Sequence, residues 1–238
     1  MTDFKIEKII PTCESFGLFL DQMAVERLNV YGNLLLSWNE KMNLTAITDP
    51  GDVLYKHFLD CLLFFKAFKV KESAKIIDVG TGAGFPGMVL KIARPDIELT
   101  LLDGLNKRLL FLSELLAETE LSAETVHMRA EEAGKSDKFR EKYDIACARA
   151  VAPLNILCEY CIPFVKPGGS FIAMKGASAE QEAASAQNAY RLLGCEEPKI
   201  ICETLTGNEK RAFIISKKTS QTPTKYPRHG GKISKSAL

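Results

Sequence analysis

The sequence predicts an α/β fold, with a mostly parallel seven-stranded sheet, a terminal antiparallel hairpin and an N-terminal helical extension. From residue 75 onward, short apolar segments alternate with segments of helical periodicity, a pattern that requires crossover helices on both faces of a parallel sheet. The last two strand-like segments lie too close together for a crossover, so they predict a hairpin. A turn with four glycines in eight residues, 80–87, follows the first strand. The chain of 238 residues, 46% of them hydrophobic, is long enough to bury a large core.

The first 68 residues predict helices that pack on the following domain. A short helix is expected around residues 14–20. Asp21 is placed to cap a longer helix, in which apolar residues recur at steps of three and four and form one buried stripe. Pro50, after Asp49, marks the first turn of the next helix, 53–68, because the N–H that proline lacks would be unpaired there anyway. The stripe comprises Ala24, Leu28, Tyr31, Leu35, Trp38 and Met42.

The rest of the chain is assigned to strands and helices by the same periodicities. The strands are predicted at 75–80, 97–103, 124–129, 143–148, 169–175, 198–205 and 211–217. The helices are predicted at 86–94, 106–119, 131–141, 152–165 and 178–193. Residues 206–210 connect the predicted hairpin. The chain then divides into a helical extension (1–70), a sheet domain (71–219) and a basic C-terminal tail (220–238).

The net charge of +1 hides an asymmetry along the chain. From residue 208 onward, eight Lys or Arg residues against one acid give +7, which leaves −6 for the rest. A basic end on a mildly acidic body is typical of a protein that contacts a polyanion, although a tail that only aids solubility would have the same composition. No apolar run is long enough to span a bilayer, so we expect a cytoplasmic protein without membrane contact, and a monomer.

The seven cysteines do not predict a metal or disulfide framework. Their number is odd and most lie within apolar segments, which is typical of buried thiols in a reducing compartment. Cys158 and Cys161 form a C-x-x-C pair, but they lie one helical turn apart in a predicted helix. No second pair and no nearby histidine completes a zinc site, so we expect these two cysteines to be structural and no metal to be bound.

The glycine-rich turn predicts a site for a nucleotide-like cofactor. Glycine tolerates positive φ and lets a ligand approach the backbone. Gly82-x-Gly84-x-x-Gly87 matches the dinucleotide fingerprint, and Asp103, at the end of the second strand, is where an acid accepts ribose hydroxyls. That acid suits any ribose-bearing ligand, including S-adenosylmethionine. A glycine turn that binds no ligand is the remaining alternative.

Two features favour S-adenosylmethionine over a dinucleotide. Pro86, expected at the first helical position, removes a backbone N–H from the helix terminus that would hold a pyrophosphate. The terminal antiparallel hairpin has no place in the dinucleotide fold. The predicted architecture therefore resembles the class I S-adenosylmethionine-dependent methyltransferase fold, which is Rossmann-like, with Asp78-x-Gly80-x-Gly82-x-Gly84 as its first motif.

Motifs spread over nearly the whole chain resemble, in order and spacing, those of the RsmG (GidB) family. They are Asn43-Leu44-Thr45-Ala46-Ile47, Lys56-His57-Phe58-Leu59-Asp60, Gly80-Thr81-Gly82-Ala83-Gly84-Phe85-Pro86-Gly87, Lys107-Arg108-x-x-Phe111-Leu112, Arg129-Ala130-Glu131-Glu132, Ala148-Arg149-Ala150-Val151-Ala152 and Tyr226-Pro227-Arg228. The resemblance implies methylation of N7 of a guanine in the 530 loop of 16S ribosomal RNA, with S-adenosylmethionine as cofactor. The implied partner is 16S ribosomal RNA or the small ribosomal subunit.

The resemblance also implies roles for individual residues. Cofactor contacts are implied for Asp78, Gly80, Gly82, Gly84 and Phe85 at the methionine end, Asp103 at the ribose, Ala130 and Glu131 at the adenine, and Arg149. Arg149 is also implied as the residue that positions the substrate, because its planar fork suits guanine O6 or a phosphate. RNA contacts are implied for Lys107, Arg108, Arg129, Lys175 and Arg228.

Each of these residues also has a structural interpretation. Asp103 and Glu131 would then be surface carboxylates, Arg149 part of an ion pair, and the basic residues solvated charges. His57 and Asp60 border the pocket or simply cap and pack a helix, and we expect His127 to be structural. No catalytic acid or base is expected, because N7 of a neutral guanine carries a lone pair and no proton.

The tail departs from the family pattern, and two other functions stay open. After Arg228 the prolines typical of the family are missing, although most of the basic charge is kept. We still expect phosphate contacts there, with an affinity that falls with salt. The alternatives to the methyltransferase are an NAD(P)-dependent oxidoreductase and a non-catalytic RNA-binding module on the same fold.

Overall fold

The computed structural model describes residues 2–205 and 209–238 and contains one seven-stranded sheet. Its strands are β1 (Lys75–Val79), β2 (Glu98–Asp103), β3 (Glu124–His127), β4 (Tyr143–Arg149), β5 (Val165–Lys175), β6 (Lys199–Thr204) and β7 (Lys210–Lys217). The strand order is β3-β2-β1-β4-β5-β7-β6, and the pairings of β7 with β5 and with β6 are antiparallel while the others are parallel. The predicted fold class is confirmed, including the terminal hairpin. Most of the hairpin connection predicted at 206–210 lies outside the described residues.

The helices of the N-terminal extension confirm the cap predicted at Asp21 and the helix start predicted at Asp49 and Pro50. They are α1 (Ile10–Ser15), α2 (Gln22–Asn39), α3 (Pro50–Val53), α4 (Asp60–Leu62) and α5 (Phe64–Ala67), with a π-helical segment, Leu54–Leu59, between α3 and α4. The side chain of Asp21 accepts a hydrogen bond from the N–H of Ala24, and the side chain of Asp49 accepts one from the N–H of Asp52. The predicted continuous helix over 53–68 is thus helical but interrupted by a wider π turn.

The remaining helices alternate with the strands. They are α6 (Gly87–Ala93), α7 (Asn106–Glu118), α8 (Ala130–Ala133), α9 (Leu154–Cys161), α10 (Ala179–Ser185), α11 (Gln187–Leu193) and α12 (Gly230–Lys235). The helix predicted at 131–141 is a single turn, α8. The helix predicted at 178–193 is divided at Ala186, which has a φ of −100° and a ψ of 1°.

The short helix expected at 14–20 was placed wrongly. Helix α1 begins four residues earlier and ends five residues earlier, at Ile10–Ser15, and Gly17 follows it with a φ of +80°. Pro11 occupies the first turn of α1, where its fixed φ favours helix initiation, and a glycine with positive φ is a common helix terminator. The periodicity of this segment was therefore less informative than its proline and glycine.

The sheet is covered on both faces by apolar clusters. Neighbouring residues of β1 face opposite sides, so Ile76 packs with the N-terminal extension and Ile77 with the helices of the other face. Helix α6 is buried along its whole length because β1 lies on one side of it and α2 and α4 on the other. Its Lys91 donates to the carbonyls of Pro95 (2.8 Å) and Ile97 (2.7 Å). The N-terminal helices therefore share one core with the sheet, and the division at residues 70 and 219 stays a prediction.

No helix among residues 2–205 and 209–238 is long and apolar enough to cross a membrane.

Candidate functional site

The buried side chain of Asp78 connects the two ends of the glycine loop through hydrogen bonds. Its Oδ2 accepts hydrogen bonds from the hydroxyl of Thr81 (2.7 Å) and the N–H of Gly87 (2.9 Å). The side chain is fully buried, and burial raises its pKa from 3.8 to about 6, while the two donors oppose the shift. Asp78 therefore shapes the loop and does not reach the space above it.

The glycines of the loop have different surroundings, although Gly80, Gly82 and Gly84 all have positive φ. A Cβ on Gly80 would lie 2.8 Å from Cγ2 of Val151, so this glycine lets the loops after β1 and β4 meet. A Cβ on Gly84 would lie 2.8 Å from the hydroxyl of Tyr31, so Gly84 packs against α2. The N–H of Gly82 donates to Oδ2 of Asp103 at 2.9 Å. Of the three, only Gly80 faces the large cavity next to the loop.

That cavity, called the first cavity, has a volume of about 810 Å³ and lies over the carboxyl ends of β1, β2 and β3. It brings together four of the residues predicted to bind the cofactor, although they come from three different loops. Its lining includes Gly80, Asp103, Arg108, Ala130, Glu131, Val151, Tyr160 and Gly230. In a sheet of this order, the crevice at the carboxyl ends of the central strands is where ligands bind.

Backbone and side-chain donors hold Asp103 in place at this cavity. Oδ1 accepts from the N–H of Leu105 at 2.8 Å, and Oδ2 accepts from the N–H of Gly82 at 2.9 Å. Nη1 of Arg108 lies 3.3 Å from Oδ2. A carboxylate has about four acceptor positions, so Asp103 keeps capacity for a further donor while its orientation is fixed.

A second cavity of about 340 Å³ lies over the carboxyl ends of β4 and β5. Arg149 and its neighbours Phe85, His57, Asp60 and Arg211 form the Arg149 cluster on this side. Nη1 of Arg149 donates to Oδ2 of Asp60 (2.9 Å) and to the carbonyl of Lys56 (3.1 Å). Nε of Arg211 lies 3.2 Å from the other oxygen of Asp60. One buried carboxylate therefore holds two guanidinium groups at the cavity.

His57 is a hydrogen-bond acceptor toward Arg149. Burial, and then the charge of Arg149, lower the pKa of His57 from 6.5 to about 3. Nη2 of Arg149 lies 3.0 Å from Nδ1 of His57, and the carbonyl oxygen of Lys56 lies 3.1 Å from the same nitrogen. Because a guanidinium only donates, the contact with Arg149 assigns the proton of the neutral ring to Nε2, and the Lys56 carbonyl is then a close neighbour of Nδ1 without a hydrogen bond. Nε2 then donates to the hydroxyl of Thr45 at 2.9 Å. His57 therefore fixes the orientation of Arg149 without carrying charge.

Phe85 belongs to the Arg149 cluster and does not line the first cavity. Its ring stacks on His57 with 4.4 Å between ring centroids and on Tyr31 with 5.2 Å. The guanidinium carbon of Arg149 lies 4.8 Å above the same ring. The structure thus places Phe85 and Arg149 together, beside the second cavity.

Ala150 belongs to the linings of both cavities, which are therefore neighbours at this residue. Ala150 directly follows β4 and has a φ of +56°. The next residue, Val151, covers Gly80. A ligand in the first cavity and a ligand in the second would therefore approach each other across the loop after β4.

The five basic residues predicted to contact RNA are not equivalent. Lys107 and Arg129 are exposed, and Arg108 pairs with Asp103. Lys175 is held by Glu182 at 2.7 Å and donates to the carbonyl of Ala152.

Arg228 pairs with Glu159 through Nε and Nη2, at 2.6 to 3.0 Å. The charges of Lys175 and Arg228 are therefore already compensated, a geometry that weighs against the RNA contacts predicted for them.

Three contributors to the site were not predicted. Arg211 comes from β7, Tyr160 from α9, and Gly230 from the tail. No local pattern identifies the first two, because their proximity to the site depends on the packing of distant segments. The motif Tyr226-Pro227-Arg228 marked the tail, but its spacing did not show that the tail returns to the first cavity.

The structure gives the C-x-x-C pair a place in the core. Cys158 and Cys161 are both buried in α9, and burial raises the pKa of each thiol above its usual value. Among the described residues, no three His, Cys, Asp or Glu side chains are grouped as metal ligands.

The strand order, the terminal hairpin and the cavity at the carboxyl edge define a class I methyltransferase fold. The chain resembles a crystallised variant of the 16S rRNA (adenine(1408)-N(1))-methyltransferase of Catenulisporales acidiphilia, with a TM-score of 0.53, 14% identity, and coverage of 66% of this chain and 88% of that one. It also resembles precorrin-6y C5,15-methyltransferase of Geobacter metallireducens, with a TM-score of 0.50, 13% identity, and coverage of 67% and 86%. At these identities the likeness shows the fold alone.

Sequence similarity defines the family. Residues 24–212 match the family described as rRNA small subunit methyltransferase G (GidB), and the chain belongs to this family. It is 51% identical over 227 residues to ribosomal RNA small subunit methyltransferase G of Alkaliphilus oremlandii, covering 94% of this chain and 95% of that relative. The relative from Thermoanaerobacter pseudethanolicus is 46% identical over 240 residues, with 100% coverage of both chains. The oxidoreductase alternative is therefore wrong at the level of family.

Proposed function

We propose that the protein transfers a methyl group from S-adenosylmethionine to N7 of a guanine in the 530 loop of 16S ribosomal RNA. The observation that carries this proposal is the position of two neighbouring cavities at the carboxyl edge of the sheet, with Ala150 in both linings. The first cavity would hold the cofactor and the second the target base. The family supports methylation of small-subunit ribosomal RNA, and the choice of base, atom and loop follows from the motif resemblance.

The residues of the first cavity fit S-adenosylmethionine. An oriented carboxylate, Asp103, stands at the end of β2, where ribose hydroxyls would donate to it. Ala130 and Glu131 follow β3 and would border the adenine. Gly80 would let the methionine end pass close to the backbone, and Asp78 would act only by holding the loop. A volume of about 810 Å³ is within the usual range of ligand pockets.

Arg149 would position the guanine. Of the five N–H groups of a guanidinium, three point to Lys56, Asp60 and His57, so two have no partner among the described residues. These two would donate to O6 of a guanine in the second cavity, beside the N7 that reacts. The carboxylate of Asp60 lies behind the guanidinium and would offset the positive charge that the base gains.

The chemistry requires alignment more than proton transfer. When bound, S-adenosylmethionine supplies a methyl group on a positively charged sulfur. The N7 lone pair forms the new N–C bond, while the electrons of the S–C bond return to sulfur, and no proton moves. His57, neutral and bonded to Arg149, is not required as a base. The protein would contribute by holding the two partners in line at the junction of the cavities.

The exposed cations at the same edge would contact the RNA backbone. Arg129 precedes α8 and lines the first cavity, and Lys107 lies in the first turn of α7, after the carboxyl end of β2. Arg108 would join them, although it is shared with Asp103. Lys175 and Arg228 would need to leave their carboxylate partners to do so.

Transfer of labelled methyl groups to unmodified ribosomal RNA tests the proposal. The purified protein should label naked 16S RNA, an assembly intermediate or the complete small subunit, and chemical cleavage at 7-methylguanine should map the label to the 530 loop. Label at another position would show that the assigned base is wrong. A non-catalytic RNA-binding module would bind the RNA without labelling it.

Arg149→Lys tests the second cavity in the same assay. Lysine keeps the charge but loses the planar fork, so kcat/KM should fall by roughly 10- to 100-fold, as for the loss of one or two charge-assisted hydrogen bonds. Arg191→Lys is the control, because Arg191 is exposed and, within residues 2–205 and 209–238, its side chain bonds only to Asn188. Calorimetry with S-adenosylhomocysteine should give unchanged affinity for both variants. Equal kcat/KM for the two variants would remove Arg149 from the substrate site.

A further inference from the structure

The C-terminal tail is fastened to the body by charged side chains that reach its backbone. Arg140 donates to the carbonyls of Thr222 at 2.6 Å and Tyr226 at 2.8 Å. Glu141 accepts from the N–H of Thr222 at 2.8 Å and pairs with the fully buried Lys218 at 2.8 Å. These hydrogen bonds to backbone groups and the buried ion pair fix the path of the tail between residues 218 and 226.

The last part of the tail is held in the same way. Arg228 forms its ion pair with Glu159, a side chain that is completely buried in α9. Nη2 of Arg228 also donates to the carbonyl of Ser236 at 2.8 Å, which closes the segment around α12. Ile233 in this helix is buried, with 0% exposure. These anchors place the beginning of α12 at the first cavity, where Gly230 belongs to the lining.

The contact between Gly230 and Glu131 is too close for any side chain on the glycine. A Cβ on Gly230 would lie only 2.1 Å from Oε1 and 2.9 Å from Cδ of Glu131. The neighbouring Gly231 is different, because its Cβ would lie 3.6 Å from the nearest atom, Nδ1 of His229. The carboxylate of Glu131 therefore occupies the space that a residue other than glycine would need at position 230.

We infer that the anchored tail is a structural wall of the first cavity and that Gly230 is a positioning residue for Glu131. The inference rests on the proposed function for the identity of the ligand, S-adenosylmethionine. With Gly230 in place, the Glu131 carboxylate can lie between the tail and the adenine end of the cavity. A side chain at position 230 displaces that carboxylate, because Glu131 is flexible while the tail is fixed by Arg140 and Glu159. The tail thereby contributes to cofactor affinity in addition to any phosphate contact.

Calorimetry of the full chain with S-adenosylhomocysteine tests this inference. Gly230→Ala should weaken binding by roughly tenfold, the effect of one lost hydrogen bond to a charged group. Lys232→Ala, a control in the same helix at an exposed side chain that does not line the first cavity, should bind within about twofold of the original protein. The melting temperatures of the two variants should agree, since both keep the anchors of the tail at Arg140 and Glu159.

A double-substitution cycle separates a positioning role from a general structural one. In a Glu131→Ala background, Gly230→Ala should cause no further loss of affinity, because the group it displaces is gone. An equal loss in both backgrounds would overturn the inference, and so would wild-type affinity of Gly230→Ala. If the original protein does not bind S-adenosylhomocysteine, the proposed function fails instead, so the two failures are distinct.

Discussion

At the scale of single residues, the neutral ring of His57 sets the hydrogen bonds around Arg149. Its pKa of about 3 follows from burial and from the neighbouring guanidinium. A protonated ring would turn Nδ1 into a donor and place two positive groups 3.0 Å apart. Protonation of His57 should therefore weaken the Arg149 cluster, and this effect links the site to pH.

Substitution of His57 by glutamine should remove a component of acid sensitivity. The pKa of His57 is lower in the folded state, about 3, than the 6.5 of an ordinary histidine. Between these values the unfolded chain binds the extra proton, so this group's contribution to stability is complete above pH 6.5 and is lost as the pH falls. The free energy of unfolding of the wild type should fall by up to about 1.4 kcal/mol more per pH unit than that of His57→Gln. Urea unfolding between pH 7 and 4.5 measures the difference.

The titration of Asp78 changes the pH dependence of stability in the opposite direction. The comparison of the wild type with His57→Gln cancels this contribution. Its folded pKa of about 6 exceeds the ordinary 3.8, so its contribution to stability decreases as the pH rises between these values. Because Asp78 is present in both proteins, subtraction of the two curves isolates His57. Parallel curves would show that the pKa of His57 is not lowered in the folded protein.

At the scale of elements, the glycine loop is held from two sides. Asp78 bonds to its beginning and end from within the sheet, and Tyr31 of α2 packs against Gly84. The hydroxyl of Tyr31 also donates to the carbonyl of Ala83 at 2.5 Å. The N-terminal extension therefore takes part in shaping the loop.

Gly84→Ala should destabilise the protein more than Gly17→Ala. Both glycines have positive φ, +96° and +80°, which costs an alanine about 1–2 kcal/mol. The Cβ at position 84 would also lie within 2.9 Å of three side chains, an overpacking that adds about 1–3 kcal/mol, whereas nothing lies within 4 Å at position 17. Chemical denaturation of both variants measures the difference. Equal losses would mean that the loop adjusts freely and that α2 does not fix it.

At the scale of the whole molecule, the tail and the N-terminal extension hold the sheet from opposite faces. The extension packs with Ile76 and α6, and the tail packs with Ile77 and α9. Tyr226 and Ile233 anchor the tail in apolar surroundings, and Arg140 and Glu159 bind its polar groups. The basic end of the chain is thus largely an integrated part of the fold.

Arg140→Ala should release the tail. The substitution removes hydrogen bonds to the carbonyls of Gly134, Thr222 and Tyr226, so cleavage by trypsin after residue 218 should become faster and the melting temperature should fall. Arg191→Ala serves as the matched control, since its side chain bonds only to Asn188. Resistance of Arg140→Ala equal to that of the control would show that the tail is held by its apolar anchors alone.

The two edges of the sheet should differ in their contribution to RNA binding. The exposed Lys107 and Arg129 lie at the carboxyl edge, whereas the exposed Lys142 precedes β4 at the amino edge. Replacing both carboxyl-edge residues by alanine should lower the slope of log affinity against log salt by roughly 1.5, since each lost phosphate contact removes about 0.7–0.9. Lys142→Ala should leave the slope unchanged. A slope that responds only to Lys142→Ala would place the RNA on the other edge.

Much of the fold was predictable because it is encoded locally. Hydrophobic periodicity located all seven strands, with most ends within one or two residues, while the cap at Asp21 located the start of α2 and Pro50 located the first turn of α3. The helix expected at 14–20 was misplaced because Pro11 and Gly17 mark the start and the end of the actual helix, α1. The positions of Asp103 and Glu131 at strand ends followed from the parallel order of the sheet.

The sequence by itself determined the class of fold, the family and the place of the glycine loop, since these depend on patterns between residues close along the chain. Only the tertiary structure decided which charges are free. Lys175 and Arg228 looked available, but Glu182 and Glu159 compensate them, and Glu159 lies 69 residues away from Arg228. The tertiary structure also decided that the ring of Phe85 packs against Arg149 and that Gly230 of the tail lies against Glu131. Such partnerships depend on where packing brings distant segments together, because an ion pair or a steric contact acts over a few ångströms regardless of separation in sequence.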